Sequence, residues 1–242
     1  MSSPSVQRSS QRLTAVLLMT GAVIGVIGNA LHPHVAVSMT SKLQAIAGNG
    51  AWVAIHLTIL VAILLVIGGL VGLARLLDDG PDGPLARIGI AAALLGGALT
   101  TVSTSMDGFA MKPLALAWAA APASDAVAAL RLADAVQVVG FAIWSMGILV
   151  LFGMAFGCFG AAVVISGRFP AWLGWMAVTS GVGSSVAALL QIANTGEVQA
   201  AETLFFATSL LATLWAFAVG VLVWRDAREP GRAHAPGSLP VH

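Results

Sequence analysis

Long apolar runs separated by short polar breaks dominate the pattern along the chain. Each run is long enough to cross a bilayer as an α-helix, which takes about 20 apolar residues. The fourth run is longer than the others, so we expect it to tilt or to protrude from the membrane. The six runs cover residues 13–31, 51–74, 88–107, 133–160, 172–193 and 201–224. The pattern therefore predicts an all-α fold, a polytopic membrane bundle of six transmembrane helices.

The breaks between the runs contain residues that end helices and form turns. An Asp- and Gly-rich stretch with two prolines occupies 78–84, and Pro113 and Pro122 lie in the break after the third run. The end of the chain is rich in Pro, Gly, Ala and His, which is typical of a disordered tail. We therefore expect three segments: a cytoplasmic N-terminal tail (1–12), a six-helix transmembrane domain (13–226) and a disordered cytoplasmic C-terminal tail (227–242).

Composition excludes several classes of protein. Hydrophobic residues make up 58% of the 242 residues and charged residues 9%, against about 25% charged in an ordinary globular domain. A soluble globular enzyme and a disordered chain are therefore excluded, and the lipid bilayer is the partner that the sequence requires. The formal net charge is +1, so no strong field attracts nucleic acid. The single cysteine, Cys158, excludes an intrachain disulfide.

Lysine and arginine residues predict the orientation in the membrane, because cytoplasmic loops carry an excess of them. With the N-terminus inside, three basic residues fall outside, namely Lys42, Lys112 and Arg131. Eight fall inside: Arg8, Arg12, Arg75, Arg87, Arg168, Arg225, Arg228 and Arg232. The sequence thus predicts a multi-pass protein of a bacterial plasma membrane with both termini in the cytoplasm.

Ionisable side chains are absent from the middle of the runs, and several polar residues collect at their outer ends. A charged group in mid-membrane commonly marks an ion or substrate path, and no run has one at its middle. The residues at the outer ends are Asn29, His32, His56, Asp107, Gln137, Gln191, Asn194 and Glu202. This distribution predicts a shallow polar site that opens outward.

Three of these residues are the candidate site: His32, His56 and Asp107. The dipole near the start of a helix opposes a positive charge on His56, and the dipole at the end of a helix opposes the negative charge of Asp107. Asp107 therefore needs a compensating partner, either a histidine, Lys112, a metal or water. All three residues lie at the same predicted membrane level, which allows them to converge, with His34 as a spare histidine; the sequence alone does not determine whether they meet.

The chemistry of such a cluster has several interpretations. It can be a hydrogen-bond cluster that only sets the helix register, or a site that binds a small ligand or substrate. As a metal site, His32, His56 and Asp107 would be the ligands. Two histidines can also hold haem, and the sequence specifies no cofactor. As a catalytic site, Asp107 would act as the acid with His56 or His32 as its partner.

Several stretches together resemble a small uncharacterised bacterial family of six-helix membrane proteins. They are Leu31-His32-Pro33, a Gly-Leu pair that closes the second run, Asp107-Gly108 and the Arg-Phe-Pro-Ala-Trp-Leu-Gly-Trp stretch at 168–175. The resemblance covers about residues 12–226. It implies a six-helix membrane protein, and it implies no particular activity.

Three functional hypotheses follow from the sequence. The first is a binding or accessory membrane protein that holds a small lipophilic ligand. The second is a membrane-embedded enzyme, cyclase- or isomerase-like, that acts on a lipophilic intermediate by acid–base chemistry. The third is a metal- or haem-bearing redox subunit. Pairs of small residues four apart, such as Gly21 with Gly25 and Gly68 with Gly72, also make a homo-oligomer a candidate assembly.

Overall fold

The computed structural model describes residues 4–33, 38–78, 80–194 and 198–228, and these are mostly helical, without any strand. Six helices in these ranges are long and apolar enough to cross a membrane. The predicted all-α bundle of six transmembrane helices is therefore confirmed. In chain order the helices are α1 (Pro4–Leu31), α2 (Met39–Gly48), α3 (Trp52–Leu77), α4 (Gly83–Ala120), α5 (Ala126–Ser166), α6 (Ala171–Ala193) and α7 (Gln199–Asp226).

The third transmembrane helix, α4, differs from its prediction in length. The apolar run ends at residue 107, but α4 continues for 38 residues to Ala120. It does so through a π-helical turn at Met106–Ala110, followed by a further α-helical segment, Met111–Ala120. Pro113 thus lies inside a helix, and its missing N–H removes one helical hydrogen bond close to the π-helical turn. The expectation that the helix ends at Asp107 was wrong.

The short helix α2, between the first two spans, was not predicted. The Ser38 hydroxyl caps its first turn by accepting a hydrogen bond from the Ser41 N–H at 3.2 Å. At its other end, the Lys112 ammonium donates to the carbonyls of Ile46, Ala47 and Asn49 at 2.8, 3.0 and 2.8 Å. A cation at the end of a helix satisfies carbonyls that have no helical partner.

A small apolar cluster holds α2 against the extended end of α4. Its buried members are Leu43, Ile46, Trp52, Met111, Ala115 and Ala133. The main core of the bundle is separate and lies among the six long helices. The six spans are therefore capped at one end by a second packed layer, which contains α2 and the ends of α4 and α5.

The helices of the bundle pack closely through small residues. Helix α1 packs against α3 and α7, α4 against α3 and α5, and α6 against α5 and α7. A β-carbon at Gly21 would lie only 2.8 Å from Cγ2 of Val66, and one at Gly72 would overlap Thr14. These glycines therefore serve contacts within the chain, and a homo-oligomer through small-residue faces stays a prediction.

The two ends of the bundle carry different chemistry. At the end with the arginine-rich loops, Arg87 Nε donates to Asp78 Oδ1 at 2.8 Å, and Arg168 donates to the Leu76 carbonyl at 3.2 Å. The opposite end carries α2, Lys112 and the three candidate residues. Residues 1–3, 229–242 and His34 lie outside the described residues, so the predicted tails are described only in part.

The orientation generates a first prediction. Because six spans return the chain to its starting side, a reporter after residue 228 and one in the break between α4 and α5 should lie on opposite sides of the membrane. We expect green fluorescent protein to fluoresce only in the first fusion and alkaline phosphatase to be active only in the second. The reverse pattern would contradict the predicted orientation.

The capping lysine generates a second prediction. Lys112→Met should lower the free energy of unfolding by about 1–3 kcal/mol, because three carbonyl oxygens lose a charged donor. Thermal unfolding of the purified protein in detergent measures the change. Arg131→Met, at an exposed arginine of α5, is the matched control and should unfold like the wild type. Equal melting temperatures for both variants would show that the cap contributes nothing.

Candidate functional site

The side chains of His32, His56 and Asp107 meet at one point between α1, α3 and α4. Nε2 of His56 lies 3.0 Å from Oδ2 of Asp107 and 3.3 Å from Nε2 of His32. Nε2 of His32 lies 3.8 Å from the same Oδ2. The structure thus brings together all three residues that the sequence singled out, and we call this arrangement the His–His–Asp triangle.

Each helix contributes its member of the triangle in a different way. His32 follows the last residue of α1, and its N–H donates to the Asn29 carbonyl at 3.3 Å. His56 lies in the second turn of α3 and is buried. Asp107 lies in the π-helical turn of α4. A π-helical turn widens the helix by one residue, and in this chain it coincides with the residue that faces the two histidines.

Trp52 connects the members of the triangle. Its indole Nε1 donates to the main-chain carbonyl of Asp107 at 2.9 Å, and its own carbonyl lies 2.8 Å from Nδ1 of His56. The indole ring also packs against the imidazoles of His56 and His32, with centroid distances of 4.6 and 5.3 Å. The fully buried tryptophan therefore sets the position of both its neighbours.

The hydrogen bond at Nδ1 determines how the His56 ring is protonated. A carbonyl oxygen can only accept, so Nδ1 of His56 carries a hydrogen and donates to Trp52. In the neutral imidazole, Nε2 then has a lone pair, which faces the carboxylate oxygen of Asp107 at 3.0 Å. Two electron pairs at that distance repel each other unless a proton or another cation lies with them.

Gly108 allows α4 to approach His56. A β-carbon at this position would overlap the Cβ of His56 and lie 2.6 Å from its Cγ. Only glycine therefore permits the contact between the π-helical turn and α3. In the Asp-Gly pair at 107–108, the aspartate supplies the carboxylate, and the glycine lets α4 come close enough for this carboxylate to reach His56.

The position of Asp107 within its helix differs from the prediction. Its carboxylate was expected to lie at the end of a helix dipole, but α4 continues past it to Ala120. Its partners are the two histidines, whereas Lys112 caps α2. The two imidazoles therefore face the carboxylate, and a proton or a cation held with them is needed to compensate its charge.

A cavity of about 550 Å³ opens beside the triangle. Such a volume is within the range of about 300–1,000 Å³ that is usual for small-molecule sites. Asn194, which was grouped with the site residues, instead donates to the Leu190 carbonyl at 2.8 Å and does not line the cavity. The polar groups that line it besides the triangle include Asn29, Lys42, Gln137, Gln191, Gln199 and Glu202.

A second, apolar cavity of about 100 Å³ borders the first one. The two cavities share four lining residues, namely Asn29, Ile59, Trp144 and Phe205. Phe205 forms an aromatic wall with Trp144 and Phe152, at ring-centroid distances of 5.5 and 5.1 Å. Polar groups therefore lie at one end of this space and aliphatic and aromatic groups at the other.

Several functional features were not found from the sequence. The spacing of Trp52 and His56, four residues apart, placed both on one face of α3, but the contact of the indole with α4 depends on the tertiary structure. The π-helical turn has no sequence signal beyond Pro113, which was interpreted as part of a loop. Lys42 was counted only as a basic residue outside the membrane, although it lines the cavity.

Comparison with known proteins finds no matching family model, no matching curated protein and no matching solved structure. The interpretation of the site therefore depends on the chemistry of its own residues.

The close contact at Gly108 generates a third prediction. Gly108→Ala should lower the free energy of unfolding by about 1–3 kcal/mol, because the added methyl group overlaps His56. The melting temperature of the purified protein in detergent should fall accordingly. Gly157→Ala is the matched control, since a β-carbon there meets nothing within 4 Å and alanine favours the helix. A Gly108 variant as stable as the Gly157 variant would show that α3 and α4 do not approach as described.

Proposed function

We propose that this protein binds a small amphipathic molecule inside the membrane bundle. The observation that carries the proposal is the pair of bordering cavities. The larger is lined by charged and amide side chains together with apolar ones, and the smaller mainly by apolar ones. A head group with hydrogen-bonding atoms would lie beside the His–His–Asp triangle, and an apolar tail would lie against Phe205 and Ile59. This matches the first functional hypothesis from the sequence, a binding or accessory membrane protein.

The charges around the polar cavity favour a neutral or zwitterionic head group. Groups of both signs line it, namely the ammonium of Lys42 and the carboxylates of Glu202 and Asp107. The amides of Gln137, Gln191 and Gln199 both donate and accept hydrogen bonds, which suits hydroxyl, ester and amide groups. With the orientation that the arginines predict, the cavity would open toward the outer face of the plasma membrane.

A ligand-binding measurement tests this proposal and is the fourth prediction. In native mass spectrometry, the wild type should retain one molecule of a monoacylglycerol with a ten-carbon chain. Ser209→Trp places an indole in the apolar cavity, which Ser209 lines, so the variant should bind at least about tenfold more weakly, since the tail loses its space. Spectra of lipid extracted from the purified protein would identify the natural amphiphile.

The matched control is Leu210→Trp, because Leu210 lies next to Ser209 on α7 but is exposed on the surface of the bundle. This variant should bind the monoacylglycerol like the wild type. Equal retention by all three proteins, or none by the wild type, would overturn the proposed binding mode.

The enzyme hypothesis is the second candidate, and one observation favours it. The hydrogen-bonded pair of His56 and Asp107 borders the ligand cavity, and such a pair can hold and transfer a proton. If the protein transforms its amphiphile, Asp107→Asn should still bind the molecule but leave it unchanged. Identical products from the wild type and this variant would exclude Asp107 as the acid.

A further inference from the structure

The geometry points to a site for one divalent transition-metal ion at the His–His–Asp triangle, with its open coordination positions toward the polar cavity. The inference is independent of the amphiphile, since it concerns only His32, His56, Asp107 and the groups that orient them.

The spacing of the donor atoms is the first support. Nε2 of His32, Nε2 of His56 and Oδ2 of Asp107 are separated by 3.0, 3.3 and 3.8 Å. In a tetrahedral site whose metal–ligand bonds are about 2.1 Å long, two ligand atoms lie about 3.4 Å apart. The three distances lie on either side of this value. The three atoms thus form one face of a coordination tetrahedron, which suits a small ion better than a haem macrocycle.

The protonation of His56 is the second support. Because Nδ1 donates to the Trp52 carbonyl at 2.8 Å, the lone pair on Nε2 is directed at the point where the other two donor atoms meet. A histidine that binds a metal usually donates its other ring N–H to a carbonyl or a carboxylate, which fixes the orientation of the ring. His56 has this arrangement before any ion is considered.

The second oxygen of Asp107 is the third support. Oδ1 is buried and has no hydrogen-bond partner among the described residues. A buried carboxylate oxygen without a partner is costly. A metal ion coordinated by both carboxylate oxygens would give Oδ1 a partner, as would a metal-bound water that donates a hydrogen bond to Oδ1.

The type of donors indicates which ions fit. Two imidazoles and one carboxylate form the ligand set of catalytic zinc sites and of the facial triad that holds iron(II), and both leave positions open. We therefore assign the site to Zn²⁺ or Fe²⁺. An ion here would polarise a carbonyl or hydroxyl of a molecule in the adjoining cavity.

Metal analysis of the full-length protein tests the inference. After purification from cells supplied with zinc and iron, the wild type should contain about one metal ion per chain. The Asp107→Asn and His32→Ala variants should each contain at least about tenfold less metal than the wild type. Asp134→Asn, at an exposed aspartate of α5, and His242→Ala are matched controls that should keep the full content. Metal content in the triangle variants equal to that of the controls would overturn the inference.

A measurement on the wild type alone covers the case in which the variants do not fold. Cobalt(II) added to the metal-depleted protein should give the intense visible absorption of a tetrahedral site, and excess zinc should remove it. A chelator should lower the melting temperature of the metal-loaded wild type, because a ligand that binds only the folded state stabilises it. No cobalt spectrum and no chelator effect would exclude the site.

The outcomes separate this inference from the proposed function. A protein that retains the monoacylglycerol but binds no metal overturns only the metal site. A protein that holds one metal ion but retains no monoacylglycerol overturns only the proposed ligand.

Discussion

The hydrogen bond from the Trp52 indole to the main-chain carbonyl of Asp107 is the interaction on which the described site depends. A buried indole N–H needs an acceptor, and here it finds one in the π-helical turn of α4. The main-chain carbonyl of Trp52 in turn accepts a hydrogen bond from Nδ1 of His56. One tryptophan therefore fixes the backbone of α4, the ring orientation of His56 and the distance between α3 and α4.

The second constraint is the cost of polar groups in an apolar bundle. A charged group away from water is tolerated only with a partner, so the charged residues of the chain lie near the ends of its spans. Asp107 faces two imidazoles, and Lys112 donates to three carbonyls at the end of α2. Among the described residues at this end of the bundle, Oδ1 of Asp107 is buried without a hydrogen-bond partner, which is one of the observations behind the proposed metal site.

The layer above the spans explains why the site is a cavity and not an open surface. Helix α2 packs on the continuation of α4 beyond its π-helical turn, and Lys42 of α2 lines the cavity from that side. The sequence predicted a shallow polar cluster, whereas the structure shows a volume of about 550 Å³ with an apolar neighbour. A space with a polar and an apolar part suits an amphiphile, because the head group contacts polar side chains and the tail contacts apolar ones.

The six spans could be predicted from the amino-acid sequence alone, because a run of about 20 apolar residues satisfies its backbone hydrogen bonds in a bilayer by forming a helix. The sequence also identified His32, His56 and Asp107, since ionisable residues are scarce in such a chain and each stands out against it. It did not reveal the continuation of α4 to Ala120, the role of Trp52 or the need for glycine at 108. These features depend on which helices pack against each other. The sequence of an apolar helix says little about its neighbours, because lipid and protein surroundings are equally apolar. The meeting of His32, His56 and Asp107 beside a cavity is therefore visible only in the folded bundle, where three helices pack together.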